Sequence, residues 1–300
     1  MTAPPPAFAF SCTKCGDCCR DGGPALAIEE VFKYQNVFIT GLHWGGNMLH
    51  KKHFDDWDGE IVNMHSLREH TESFSGTAPD HKGHHVYPHI YPIVTGYAKG
   101  NGQSCPALAP DGTCNLHDDK PAMCRSVPFD PALPEHLQAI VLRRFARAHE
   151  CMKPTAQPDG TDVIFRDGRI TDPSAKADYE RRLAAMRKER DVFKILSSFI
   201  PKSNGTLSPT AEQFTRTVEK KGWIETAMSS LLFVLLNDKQ ITPAIAESYL
   251  RAQVALIEPQ IAAALERRRS ADRERTATMR LYLAEYARIL ETGVAEHFLV

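Results

Sequence analysis

The chain has 300 residues, a formal net charge of -1 and 42% hydrophobic side chains. So even a charge balance gives no general reason to expect nucleic acid or an anionic membrane as a partner. No apolar run reaches the length of a membrane span; Leu231–Leu236 is far too short. The length suits one large domain or two ordinary ones. All eight cysteines and twelve of the thirteen histidines lie before residue 152, so the two halves differ in chemistry.

The proline-rich start, Met1 to Phe10, has no basic region and does not read as a signal peptide. The expected compartment is therefore the cytoplasm, where disulfides are scarce and clustered thiols read as metal ligands or redox groups. Residues 1–11 read as a disordered or extended arm. Next comes Cys12-Thr13-Lys14-Cys15-Gly16-Asp17-Cys18-Cys19, four thiols with the spacing C-x2-C-x2-C-C. A C-x-x-C loop turns two sulfurs toward one point, as metal sites require, and Gly16 permits the tight backbone. Cys18 and Cys19 are consecutive, so their side chains are expected to point apart. They would then serve different centres, or only one of them would ligate.

Ala25–Phe38 reads as a helix with Glu29 and Glu30 near its start, where the helix dipole favours acids. The polar stretch 40–79 resists assignment; Gly41, Gly45, Gly46, Gly59 and Gly76 suggest loops and short elements. Asp55, Asp56, Asp58 and Glu60 lack the glycine and terminal Glu of a calcium loop and read as a solvated face. His81, His84, His85 and His89 form the densest histidine group, and a solvated loop is the expectation for them, as for His50 and His53. Residues 86–98 look extended, and Pro88 and Pro92 argue for an edge strand.

The run 105–129 reads as compact loops, with a turn at Pro110-Asp111-Gly112. It carries Cys105, Cys114 and Cys124; Cys151 follows alone. Residues 135–150 suggest a helix or a strand-to-helix transition, and residues 163–170 suggest a hairpin around Asp167-Gly168. From Pro173 a helical pattern runs to about Ile200 with Leu183, Met186, Phe193 and Leu196 as core. A linker, 201–209, follows. A second helix is expected over 210–237 from the spacing of Phe214, Val218, Ile224, Met228 and Leu231. Thr242 and Pro243 form an N-cap and N1 pair, opening a third helical region to about Leu290 with a break at Pro259 and a stop at Gly293. Arg267–Arg269 with Arg273 and Arg275 is interleaved with acids and reads as a salt-bridged helix surface. Trp44, Trp57 and Trp223 read as packing residues, and Arg125 as a salt-bridge partner.

Eight thiols suffice for two four-sulfur sites, holding zinc, iron–sulfur clusters or one of each. Phe10 to Arg20, with Cys105-Pro106-Ala107-Leu108, Gly112-Thr113-Cys114-Asn115-Leu116 and Lys120 to Pro128, resembles the CxxCxxCC, or YkgJ-type, cysteine-cluster family. That family is described as zinc- or iron-chelating. It is related to the FliB-type flagellin lysine N-methylases. The resemblance thus implies an iron–sulfur centre or zinc, a protein or peptide as substrate, and S-adenosylmethionine as cosubstrate. Lys120-Pro121 stands where the family commonly has Arg-Pro, and His117 where it often has Tyr.

The expectation is an α+β protein: a loop-rich cysteine-cluster domain with a His-rich insert over 1–172, then a helical domain over 173–300. Its metal ligands are expected among Cys12, Cys15, Cys18, Cys19, Cys105, Cys114, Cys124 and Cys151. Two functions compete. One is a metal-dependent enzyme that modifies a protein or peptide; the other is a structural zinc or metal-handling module that docks a partner. An enzyme requires a pocket beside the metal, and a saturated structural site does not.

Overall fold

A computed structural model describes residues 7–14, 16–20, 23–47, 64–75, 78–79, 85–95, 105–155, 162–200, 209–210, 212–214, 216, 223–270 and 272–298. Residues 201–208 of the expected linker, Trp57, the acidic run 55–60 and His50, His53, His81 and His84 lie outside these residues. The fold is α+β, with two small antiparallel sheets and a mostly helical remainder. Among the described residues no helix is long and apolar enough to cross a membrane.

The first sheet has the order β5-β1-β6-β7. Strand β1 (Ala7–Phe10) is extended, one of the two alternatives expected for the arm, and is an inner strand of this sheet. It pairs with β5 (Met152–Thr155) on one side and β6 (Val163–Arg166) on the other. Burial decides this: Phe8 packs, 1% exposed, among Phe129, Leu142, Met152 and Phe165. Asp167 and Gly168, both at positive φ, turn β6 into β7 (Arg169–Ile170) as the Asp-Gly hairpin signal predicts.

The second sheet has the order β3-β4-β2-β8. Strand β2 (Thr40–Asn47) contains three of the glycines that had suggested loops. Gly41 is required by close packing, since a Cβ there would lie 2.5 Å from Tyr282 Oη and 2.7 Å from Glu225 Oε1. Strand β4 (His85–Val94) pairs with β2 along its length, but with β3 (Ala78–Pro79) only at its first two residues. Val94 N donates away from β2, to Pro24 O at 3.0 Å. Pro88 and Pro92 share that parity, so neither removes a bond from the β2 ladder.

Strand β8 (Trp223–Thr226) completes the sheet on the far side of β2. This corrects the helix expected over 210–237: Ile224 pairs with Trp44 in a strand. Of the residues at helical spacing only Ile224 lies in β8, where its β-forming neighbours Trp223 and Thr226 and the open edge of β2 let tertiary pairing override the pattern. Likewise the helix expected over 25–38 shrinks to α1 (Ile28–Lys33), because residues 24–26 are drawn into pairing with β4.

The remaining helices are α2 (Met64–Glu72), α3 (Ala122–Ser126), α4 (Gln138–Ala148), α5 (Pro173–Lys188), α6 (Arg190–Phe199), α7 (Ser229–Asn237), α8 (Pro243–Arg267), α9 (Asp272–Thr292) and α10 (Val294–Phe298). Thr242 caps α8, accepting from Ile245 N at 3.3 Å. Pro259 lies within α8 without ending it; the chain breaks at Arg268, whose φ is 52°. Arg267 grips Asp272 through two bonds of 3.1 and 3.2 Å, as a salt-bridged surface predicts. One large core runs from Leu26 to Phe298 and draws on both sides of residue 172. Buried polar bonds fix its register. Thr40 N donates to Gln253 Oε1 at 2.9 Å, and Thr40 Oγ1 meets Tyr249 Oη at 2.6 Å.

Candidate metal centre and adjoining cavity

Four backbone segments carry the cysteines toward one another. Gly16, at φ 74°, starts a 3-10 turn, Asp17–Cys19, that holds Cys18 and Cys19. Cys19 O accepts from Cys105 N at 2.8 Å, which ties that turn to the second segment. The second segment folds on itself through a bridge between Leu108 and Cys114. Asp111 Oδ1 shapes its turn by accepting from Thr113 N and Thr113 Oγ1 at 2.9 and 2.6 Å. Lys14 lies over this turn: its O is 3.1 Å from the position a Cβ on Gly112 would take.

Helix α3 supplies Cys124, and a buried carboxylate positions it. Glu30 Oε2 accepts from Ala27 N at 2.9 Å, at the start of α1, and Glu30 Oε1 accepts from Ala122 N at 2.7 Å, at the start of α3. One side chain thus satisfies amides at two helix N-termini. Tyr34 Oη donates to Asp119 O at 2.6 Å, and Lys33 pairs with Asp119 on the surface.

The Cys19 thiol lies within electrostatic reach of Cys18, Cys105 and Cys124, and the Cys124 thiol within reach of Cys18, Cys105 and Cys114. The expectation that Cys18 and Cys19 point apart is not met. In the 3-10 turn the Cys19 thiol hydrogen-bonds to the Cys18 sulfur, which lowers Cys18 to about 6 against an opposing desolvation; Lys120 assists. The same bond, and then burial, pushes Cys19 up. Burial pushes Cys124 up to about 12, with Cys105, Cys114 and Cys18 adding to the rise. These are the penalties that a cationic metal core relieves when it binds several sulfurs together.

Cys12 and Cys151 form a separate pair of neighbours in the backbone. Continuing the β1–β5 ladder, Ser11 N donates to Cys151 O at 3.0 Å. Cys12 is exposed and Cys151 half-buried, and no disulfide joins the seven described cysteines. Cys15 lies outside the described residues. Among those residues no three His, Cys, Asp or Glu side chains stand close enough to ligate one ion. The sulfur-only donor set fits zinc or an iron–sulfur cluster, with final closure coupled to metal binding.

Residues 11–152 match a family model, CxxCxxCC, described as a "putative zinc- or iron-chelating domain". The matched segment carries all eight cysteines. Its two ends coincide with the Ser11–Cys151 contact, so the sheet of β1 and β5 closes the CxxCxxCC domain. No curated protein and no solved structure matches the chain.

Beside the CxxCxxCC cysteines lies a cavity of about 310 Å³. Met123, the neighbour of Cys124 on α3, lines it, as do His43 of β2 and His89 and Tyr91 of β4. The far wall is Asp130, with Arg182 and Met186 of α5 and Glu189 between α5 and α6. The loop bearing Asp130 is rigidly held. Gln138, fully buried, accepts from Asp130 N at 2.9 Å and donates to Asp130 O and Leu133 O at 2.7 and 2.8 Å. Asp130 Oδ1 accepts from Ala132 N at 2.9 Å.

Burial lowers both His43 and His89 to about 4, so both imidazoles are neutral near pH 7. This corrects the solvated loop expected for His89, which is a half-buried strand residue. His43 is stacked against Tyr91 at 4.5 Å and against Trp223 at 5.5 Å. Trp44 packs fully buried, as expected, whereas Trp223 is 46% exposed and flanks His43. Arg125 faces Asp178 at 3.8 Å, the expected salt bridge.

Reading the sequence alone missed Arg182, Asp130 and Glu189. A signal existed for two of them. Tyr179, Leu183, Met186 and Phe193 define the inward stripe at helical spacing, and Arg182 and Glu189 fall on that stripe. Nothing in the local sequence marks Asp130.

Proposed function

We propose that the CxxCxxCC domain holds a metal centre, an iron–sulfur cluster with zinc as the alternative, and that the centre serves a metal-dependent enzyme rather than a structural staple. The ligand candidates are Cys18, Cys19, Cys105, Cys114 and Cys124, with Cys12 and Cys151 beside the end of the β1–β5 pairing and Cys15 a further candidate from the sequence. The observation that carries the reading is the approach of five thiols from segments more than eighty residues apart in the chain. An iron–sulfur cluster would supply redox or radical chemistry, and zinc would supply Lewis acidity.

The cavity supports the enzyme. Helix α3 places Cys124 in the thiol group and Met123 in the cavity wall, so metal and ligand would be separated by one short helix. A saturated structural site has no need of such a space. The reading extends, through the family resemblance, to modification of a protein or peptide in the cytoplasm.

Metal and acid-labile sulfide analysis of anaerobically purified protein tests this, with Cys105→Ser and Cys124→Ser beside wild type. Iron and sulfide in wild type, lost in both variants, support the cluster; stoichiometric zinc supports the alternative. Freely titrating thiols without metal refute both. A methyl-transfer assay with S-adenosylmethionine and lysine-containing peptides then tests the catalytic part.

A further inference from the structure

Arg182 presents a physical problem that the metal centre does not solve. It is 3% exposed, and its Nε and Nη1 have no hydrogen-bond partner among the described residues. A guanidinium keeps its charge in a protein and offers donors only. Leaving those donors unmet in a buried place is costly. Its neighbour Arg181 takes the ordinary course, pairing at the surface with Asp178 at 2.5 Å. Arg182 instead lines the cavity, whose other charged groups are the carboxyls of Asp130 and Glu189.

Both carboxyls lie within electrostatic reach of Arg182, yet neither forms an ion pair with it; they accept instead from Ala132 N and Ile28 N. Burial raises both of them, Glu189 to about 7, with Arg182 only partly opposing the rise. The cavity therefore holds one unmet cation and two carboxyls that lack a cation of their own. A dianion such as phosphate would satisfy the first and be repelled by the others. A simple amine would do the reverse.

We propose that this cavity binds a free α-amino acid, with its carboxylate on Arg182 and its ammonium group on Asp130 and Glu189. An α-amino acid carries both charges on one carbon, which suits a cavity that holds a guanidinium and carboxyls together. His43, His89 and Tyr91 line the remaining space and leave room for a side chain. The binding claim stands on the cavity alone; only the ligand's role as substrate or cosubstrate rests on the metalloenzyme reading.

The test is isothermal titration of the purified protein, metal content measured on the same sample, against the common amino acids one at a time. The best binder is then compared with its deaminated acid, its decarboxylated amine and inorganic phosphate. The amino acid is expected to bind at least tenfold more tightly than the acid or the amine, and phosphate not to bind. Arg182→Gln should lose at least tenfold for the amino acid and for the deaminated acid. Asp130→Asn should weaken the amino acid while sparing the acid. Circular dichroism verifies that each variant is folded, with Arg182→Lys as a second variant that keeps the charge. Absence of binding by any amino acid, phosphate binding that depends on Arg182, or undiminished affinity in folded Arg182→Gln would overturn the proposal. Amino-acid binding by a sample free of metal would uphold it while refuting the metal reading.

Discussion

Glu189 gives the sharpest stability test. It is buried, and its Oε1 accepts from Ile28 N at 2.5 Å. Burial lifts its carboxyl from the ordinary 4.5 to about 7, against the opposing pull of the Ile28 amide and Arg182. Between these two values the folded chain holds a proton that the unfolded chain has released. Stability therefore falls as pH rises through this window, and the loss is complete above the folded value. The displacement corresponds to about 3 kcal/mol. Glu189→Gln keeps a carbonyl acceptor for Ile28 N but cannot ionise. The variant should match wild type near the acid end of the window and exceed it by up to about 3 kcal/mol at about pH 8. Urea denaturation of both proteins at matched metal content measures this, since other titrating groups cancel in the difference. A difference that stays flat across the window, or that favours wild type as pH rises, would refute the reasoning.

Glu30→Ala should leave the amides of Ala27 and Ala122 unmet, cost about 3 kcal/mol in denaturation and speed metal loss to a chelator, because α3 carries Cys124; unchanged stability and chelation rate would count against the Glu30 clamp. Gly23→Ala would place a Cβ 1.8 Å from Val94 O, a backbone atom that cannot yield without unpairing residues 24–26 from β4. A loss of about 2 kcal/mol or more is expected in thermal unfolding. Tyr249→Phe removes the buried contact with Thr40 Oγ1 and should cost about 1 kcal/mol while leaving metal content unchanged.

The local signals were legible where the chemistry is local. Thr242-Pro243 caps a helix and Asp167-Gly168 turns a hairpin because the neighbouring backbone alone dictates those conformations. The cysteine spacing identified the metal-chelating domain for the same reason: ligand residue types and short intervals are properties of the chain itself. The α+β class followed from the contrast between a loop-rich first half and a helical second half.

What the sequence did not decide was which distant segments meet. Strand β8 reads as helix until β2 offers it an open edge, and the glycines of β2 read as loop until Tyr282 and Glu225 crowd against Gly41. Cys12 and Cys151 become neighbours only through the pairing of β1 with β5. Arg181 and Arg182 are identical residue types side by side, and a helix of 3.6 residues per turn sends one to solvent and the other into the cavity. The sequence by itself determined that thiols would be brought together to chelate a metal. The tertiary structure alone decided that a charged cavity would stand beside them, because burial and pairing depend on segments that sequence order keeps apart.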